Sequence, residues 1–230
     1  MAGERPLRLR WPDAVVAYVL VLAGTFPIVA ALHNRAIPAV LANYLAHAWL
    51  ALIALTWYFF LGRHFPIGTV NDRQLRPWYL LAVGLVAVSA IETLVSPPGA
   101  GLRLPPAPTL LAQLVFLAFV VGPTEELLFR GLIQTALNGS ITAEVRLRGW
   151  PVRGGTVVGA LIFGSFHFVN LAYQPLAATL QQAAAAVILG LLFGVLYDRT
   201  RNLIGASLAH GAGDFSATAI PLLAYVLTSR

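Results

Sequence analysis

Residues 14–32 read AVVAYVLVLAGTFPIVAAL, a run that contains no charged side chain. A run of about 20 apolar residues is long enough to cross the ~30 Å hydrocarbon core of a bilayer as an α-helix. Polar and apolar residues do not alternate along it, as they would in a half-buried strand or in a strand of a transmembrane barrel. The run therefore predicts a helix that spans a membrane.

Further runs of this kind follow along the chain, at 40–62, 77–95, 107–138, 154–171 and 176–198, and a less apolar segment covers 202–228. The run 107–138 is longer than one straight crossing needs, and Pro123 is expected to kink it or to split it in two. These segments predict an all-α polytopic transmembrane helix bundle of about seven or eight spans. Within it, the alanine run 183–186 with Gly190 and Gly194 predicts a face for close packing between helices.

The composition excludes a soluble globular protein. Hydrophobic residues make up 58% of the 230 residues and charged residues only 10%, whereas soluble proteins carry roughly 25% charged residues. The sequence contains no cysteine, which excludes disulfide bonds, thiolate nucleophiles and metal sites with cysteine ligands. Any chemistry must therefore come from other polar side chains.

The arginines predict the orientation of the bundle. The formal net charge is +6, and the basic residues other than histidine are fifteen arginines and no lysine. With the N-terminus in the cytoplasm, eleven arginines fall on the cytoplasmic side, three fall outside and Arg130 lies within a span, as the positive-inside rule predicts for seven crossings. The eleven are Arg5, Arg8, Arg10, Arg63, Arg73, Arg76, Arg146, Arg148, Arg153, Arg199 and Arg201, and the three are Arg35, Arg103 and Arg230.

A cleaved signal peptide is the competing interpretation of residues 1–32, since a basic start precedes an apolar run. That run is long for a signal core and lacks a clear small-x-small cleavage site. We therefore predict an integral cell-membrane protein with a cytoplasmic N-terminus. We further predict N-terminal membrane spans in 1–106 and a catalytic membrane core in 107–230, joined in one bundle.

Ionisable residues at membrane depth are costly unless they face the bundle interior and find partners, so they mark functional sites. The late spans carry six of them: Glu125, Glu126, Arg130, His167, His210 and Asp214. At 1.5 Å per residue, Glu125 and His167 lie ~20 Å from the cytoplasmic ends of their helices, and Asp214 lies ~18 Å in. Because the three helices bring these residues to a similar depth, we expect them to line one polar cavity formed by the late helices.

The residue types predict acid–base chemistry. Glu126 and Arg130 are spaced for an ion pair on one helix face, and Phe163 lies one turn before His167 and can shield it from lipid. Glu125 can take a proton from a trapped water while His167 orients that water or protonates a leaving amine. His210 and Asp214 can stabilise an oxyanion.

Other interpretations stay open at this point. The HExxH motif of zinc proteases is absent, yet Glu125, His167 and His210 could together bind zinc. The buried residues could also merely link the helices of a non-proteolytic scaffold, or serve a proton-coupled transporter, although no internal repeat of the transporter kind is evident. His47 and Glu92, on earlier spans, are interpreted as packing or interface residues.

The polar clusters resemble the signature of the CAAX protease and bacteriocin-processing family, also called Abi, and in particular its prokaryotic homologues of the CAAX prenyl endopeptidase. The matching stretches read EELLFR at 125–130, FGSFH at 163–167 and HGAGD at 210–214, and NLIGASLAH at 202–210 is similar to the family's lead into its last motif. The resemblance covers about 107–216 and lies on consecutive late spans.

The resemblance implies an intramembrane endopeptidase that cleaves a membrane-associated peptide or lipidated protein, with the membrane and that substrate as partners and no nucleic acid. It implies Glu125 as the water-activating base, His167 as its assistant, and His210 with residue 214 as the oxyanion site. Glu126 and Arg130 would give structural support. Asp214 departs from the family's usual asparagine, and a carboxylate donates a hydrogen bond only when protonated.

We expect glutamate chemistry without a cofactor, with zinc held by the same residues as the alternative. The absence of lysine favours a bacterial or archaeal origin. Prokaryotic members of the family are associated with bacteriocin maturation or immunity, so an immunity protein without protease activity is a further alternative.

Overall fold

The computed structural model describes residues 9–61, 63–97, 104–147 and 149–228. Its α-helices are α1 (Trp11–His33), α2 (Ala39–Leu55), α3 (Asp72–Val95), α4 (Ala107–Phe116), α5 (Gly122–Glu126), α6 (Thr135–Asn138), α7 (Gly154–Phe166), α8 (Leu176–Thr200) and α9 (Leu203–Thr228). π-Helical segments at Thr56–Phe60, Leu117–Val121 and Leu127–Gln134 and a 3-10 segment at His167–Ala172 extend or join these helices. The predicted all-α bundle is confirmed.

Six helical stretches in the described residues are long and apolar enough to cross a membrane: Trp11–His33, Ala39–Phe60, Arg73–Val95, Ala107–Asn138, Gly154–Ala172 and Leu176–Thr200. Each coincides with a predicted span. The seventh predicted segment also forms a helix, α9 of 26 residues, but it is not among these six. A total of seven or eight spans stays a prediction, and Arg5, Arg8, Arg103, Arg148 and Arg230, used to orient the bundle, lie outside the described residues.

The chain divides into two compact units. The first comprises Met1–Gly68 and Thr124–Leu203, and the second comprises Thr69–Pro123 and Ile204–Arg230. The first unit therefore contains α1, α2, α6, α7 and α8, whereas the second contains α3, α4 and almost all of α9. The boundary at residue 106, between N-terminal spans and a catalytic core, was drawn along the order of the sequence, and it stays a prediction.

Small residues set the packing of α7 against α8 in the first unit. A Cβ atom added at Gly164 would lie 2.9 Å from the carbonyl oxygen of Ala183, and one added at Gly190 would lie 3.4 Å from Cα of Ala160. Helices with small residues at their interface approach closely and gain van der Waals contact. The predicted packing face on α8 thus contacts α7, the helix that ends at Phe166, directly before His167.

A buried polar cluster holds the ends of three helices together in the first unit. The Asp198 carboxylate accepts hydrogen bonds from the amides of Gln134 (3.1 Å) and Asn138 (2.9 Å), and also from the Thr156 hydroxyl. Buried polar groups of this kind are stabilising when every member finds a partner. The cluster fixes α8 and α7 to the helical stretch that carries Arg130.

The long fourth stretch does not break at Pro123. Instead it alternates between α-helical and π-helical segments, so that α5 is a short α-helix between the π-helical segments Leu117–Val121 and Leu127–Gln134. Proline lacks an N–H group and its ring crowds the carbonyl four residues earlier, and the wider π-helical turn before Pro123 accommodates both effects. π-Helical turns are common at functional sites, and these two flank Glu125 and Glu126.

In the second unit α9 packs closely on the fourth stretch and on α3. A Cβ atom added at Gly122 would lie 2.5 Å from the Ser207 carbonyl oxygen, and one at Gly211 would collide with the Ala118 carbonyl oxygen. Ser216 of α9 lies 3.1 Å from Ser89 of α3, hydroxyl to hydroxyl. These contacts fix the segment of α9 that carries His210.

The connection between the fourth and fifth spans forms a hairpin that the sequence did not predict. Strands β1 (Glu144–Leu147) and β2 (Trp150–Arg153) pair antiparallel, with Glu144 opposite Arg153. Gly149 takes a positive φ of 85° in the turn, a conformation that glycine adopts without strain. This short hairpin is a connection between helices and leaves the fold class all-α.

Candidate active site

Glu126 and Arg130 form a fully buried ion pair in the first unit. Their side chains are 0% and 1% exposed, and Arg130 Nε lies 3.3 Å from Glu126 Oε2. The π-helical segment that begins at Leu127 keeps the two residues on one side of the helix. The spacing of four residues predicted this pair, and the structure brings its members together.

Phe163 joins this ion pair to His167. The Arg130 guanidinium lies 4.6 Å from the centre of the Phe163 ring, and the His167 ring meets the same phenyl ring edge to face, with 5.2 Å between centroids. Cation–π and edge-to-face contacts each stabilise such an arrangement. Phe163 is therefore the packing element between the support pair and the histidine, as its position one turn before His167 predicted.

The orientation of His167 follows from the end of its helix. α7 changes to a 3-10 helix at His167, and the ring Nδ1 donates to the Phe163 carbonyl oxygen at 3.0 Å. Because a carbonyl oxygen can only accept, the proton of a neutral His167 lies on Nδ1. Its Nε2 is then the basic nitrogen, as a residue that assists proton transfer requires.

Glu125 contacts His47, a residue that the sequence did not indicate as its partner. Its carboxyl group is buried, with Oε1 3.3 Å from Nε2 of His47, and the side-chain exposures are 8% for Glu125 and 15% for His47. His47 lies in the middle of α2, so this contact joins an early span to the fourth stretch. The interpretation of His47 as a packing residue was wrong, because its ring reaches the carboxylate that the sequence predicts to be the base.

The His47 ring is oriented by a carbonyl group of its own helix. His47 Nδ1 lies 2.9 Å from the Asn43 carbonyl oxygen, and a carbonyl oxygen can only accept, so the proton of a neutral ring lies on Nδ1. Nε2 of the same ring lies 3.3 Å from Glu125 Oε1. His47 is therefore placed against the predicted catalytic carboxyl group.

His210 and Asp214 lie together on α9, in the second unit. Their ring Nε2 and carboxylate Oδ2 are 3.5 Å apart, with side-chain exposures of 15% and 33%. This is an ion-pair contact of residues four apart on one helix face, as the spacing predicted. The predicted grouping of these two residues with Glu125, Glu126 and His167 in one cavity stays a prediction.

Metal binding needs at least three well-placed ligands from the protein. In the part of the chain that the structure describes, no group of three or more His, Asp or Glu side chains has such an arrangement. The donor types of Glu125, His167 and His210 nevertheless suit zinc. Zinc therefore stays the alternative to glutamate chemistry, and removal of metal by a chelator distinguishes the two.

The six apolar helical stretches and their buried ionisable pairs define an integral membrane protein of the polytopic helical class. Residues 107–216 match the model of the family described as type II CAAX prenyl endopeptidase Rce1-like. The match confirms the resemblance drawn from the three motifs and supports a protease activity of the CAAX type. Comparisons with curated proteins and with solved structures gave no match.

Proposed function

We propose that this protein is an intramembrane endopeptidase in which Glu125 activates the attacking water. The observation that carries the proposal is the buried Glu125 carboxyl group, whose Oε1 lies 3.3 Å from His47 Nε2 inside a region of CAAX-protease type. A buried carboxylate with a fixed hydrogen-bond partner is held ready for proton transfer. Its neighbour Glu126 is tied to Arg130, so the two adjacent carboxylates have separate tasks.

The reaction proceeds as a general-base hydrolysis. Glu125 takes a proton from water, the hydroxide attacks the peptide carbonyl carbon, and the carbonyl oxygen becomes an oxyanion. When the C–N bond breaks, the proton held by Glu125 passes to the leaving amine, either directly or by way of Nε2 of His167. The products are a carboxylic acid and an amine, and Glu125 is returned to its starting form.

His210 and Asp214 are proposed to stabilise the oxyanion. A protonated His210 carries an N–H group on each ring nitrogen, and its Nε2 lies 3.5 Å from Asp214 Oδ2. Donors fixed in place before the reaction lower the barrier by stabilising charge that appears only in the transition state. This role requires His210 to lie beside the scissile carbonyl group of the bound substrate.

Replacement of Asp214 by asparagine tests this role. We expect Asp214→Asn to preserve or raise the activity, because an amide is a permanent donor whereas a carboxylate donates only when protonated. Steady-state hydrolysis of a fluorogenic peptide by both proteins measures the effect; an inactive variant of unchanged thermal stability would contradict the role.

Substitutions of His47 test its hydrogen bond to Glu125. A hydrogen bond to a charged group is worth ~1.5–3 kcal/mol, so His47→Ala should lower kcat/KM by roughly 10- to 100-fold. His47→Gln should recover part of this loss, because its amide can donate to the carboxylate but cannot exchange a proton. The control is His33→Ala, since that exposed ring has its Nδ1 on the backbone carbonyl of Ala172. If His47→Gln and His47→Ala were as active as the control, His47 would have no part in the reaction.

The substrate is proposed to be a peptide bond of a membrane-associated peptide or lipidated protein, cleaved from the cytoplasmic side. Glu125 lies on a spanning stretch, so a substrate segment that partitions into the membrane reaches it most readily. A membrane scaffold without catalysis is the second candidate, because the same buried pairs could serve only to join helices. Turnover that depends on Glu125 distinguishes the two.

A further inference from the structure

An open groove of about 290 Å³ runs along α8 beside the hairpin, remote in sequence from the residues of the proposed active site. Its walls are apolar over most of their length and include Ile188, Leu192 and Val195 from α8 with Val152 from β2. Ile188 and Leu192 are 69% and 45% exposed, so they face the surroundings of the helix. Since α8 is one of the spanning stretches, that surrounding is lipid.

One end of the groove carries a positive charge that is held in place. Arg199, in the last turn of α8, stacks over the Trp150 ring with 4.8 Å between its central carbon and the ring, and both residues line the groove. A guanidinium stacked on a ring face keeps its N–H donors free at the edges, and these match the two oxygens of a phosphate. Trp150 is 61% exposed, as tryptophans at membrane interfaces are.

The charges around Arg199 favour an anion. A second arginine, Arg153, lines an adjoining recess together with Arg199 and Val195. Two acids also line this recess, Glu144 and Asp198. The Asp198 carboxylate accepts hydrogen bonds from Gln134, Asn138 and Thr156, and Glu144 stands opposite Arg153 in the hairpin register. The residues that line the apolar groove itself include Arg199 and neither of these two acids, so the charge at the mouth of the groove is positive.

We propose that this groove binds an anionic phospholipid, with one acyl chain along Ile188, Leu192 and Val195 and the phosphate at Arg199. The hairpin and the end of α8 lie on the same membrane face by chain order, because two spanning stretches, Gly154–Ala172 and Leu176–Thr200, separate them. The arginine distribution predicts that face to be cytoplasmic, where anionic lipids attract basic residues. The site is independent of the proposed peptidase activity.

Native mass spectrometry of the full chain in neutral detergent tests the site. The purified protein is titrated with dioleoyl phosphatidylglycerol, with dioleoyl phosphatidylcholine and with inorganic phosphate. We expect one phosphatidylglycerol to be retained, bound at least about fivefold more tightly than phosphatidylcholine, and no competition from phosphate at the same concentration. Equal retention of both lipids, or displacement by phosphate alone, would overturn the proposal.

Matched variants locate the bound lipid. Arg199→Gln should remove the preference for phosphatidylglycerol, and Arg199→Lys should restore it only partly, since lysine lacks the planar group that stacks and binds two oxygens. Ile188→Trp should weaken retention of both lipids by filling the groove. Arg76→Gln, an exposed arginine of α3 predicted to lie on the same face, is the control and should change nothing. An effect of Arg76→Gln equal to that of Arg199→Gln would show attraction by overall charge and refute a defined site.

Discussion

Replacement of Glu125 by glutamine is expected to lower kcat/KM for a membrane peptide by about 10²- to 10⁴-fold while the protein stays folded. Glutamine keeps the shape of the side chain and removes its capacity to accept a proton from water. Its amide can donate to the unprotonated Nε2 of a neutral His47, so the contact with α2 survives. The rate of the chemical step should therefore fall, whereas the temperature of thermal unfolding should stay nearly unchanged.

The neighbouring carboxylate provides the matched control. Glu126→Gln is the same chemical change one residue along the chain, but it leaves the buried Arg130 charge without its partner carboxylate. This variant should lose stability, whereas Glu125→Gln should not. Thermal unfolding in detergent and peptide hydrolysis, measured on the same preparations, separate the two effects. Equal destabilisation by both substitutions would mean that Glu125 is a structural residue.

Removal of Arg130 should cost the protein about 3–5 kcal/mol of unfolding free energy, because it strands the Glu126 carboxylate in the protein interior. Arg130→Ala also removes the contact of the guanidinium with Phe163, so the ring that packs against His167 loses its support. We therefore expect a loss of activity that accompanies the loss of stability. Unfolding by sodium dodecyl sulfate in mixed micelles measures the free energy.

Two further variants test whether the loss of stability in Arg130→Ala comes from the unpaired charge. Arg63→Ala breaks another arginine–acid pair of the first unit, with Asp13, but the Arg63 side chain is 27% exposed, and its loss should cost less. The double change Glu126→Gln with Arg130→Met removes both charges and should regain stability over Arg130→Ala, since no unpaired charge remains. A double variant as unstable as Arg130→Ala would contradict an electrostatic cause and point to lost packing.

The length of the apolar runs and the spacing of residues along a helix made most of this structure predictable. Runs such as 14–32 have too few polar groups for any environment but a bilayer, and all six apolar runs became helical stretches of spanning length. The pairs Glu126–Arg130 and His210–Asp214 depend only on the spacing of four residues along one helix, which brings their side chains together. Phe163 and His167 followed the same rule.

Contacts between distant segments escaped sequence reasoning. His47 lies 78 residues before Glu125, and no periodicity indicates which face of α2 meets the fourth stretch. A histidine in the middle of an apolar span was the available signal, since a polar group there needs a partner. The π-helical segments around α5 and the hairpin likewise depend on packing and on backbone hydrogen bonds that residue types do not specify.

The most direct test of the central claim is hydrolysis of a quenched peptide library by detergent-purified protein after dialysis against a strong chelator, with elemental analysis of the same sample. Glutamate chemistry predicts full activity in protein shown to be free of metal and none in Glu125→Ala. Activity lost on chelation and restored by zinc would contradict it and favour zinc held by Glu125, His167 and His210. Equal activity in Glu125→Ala would contradict any role of this residue as the base.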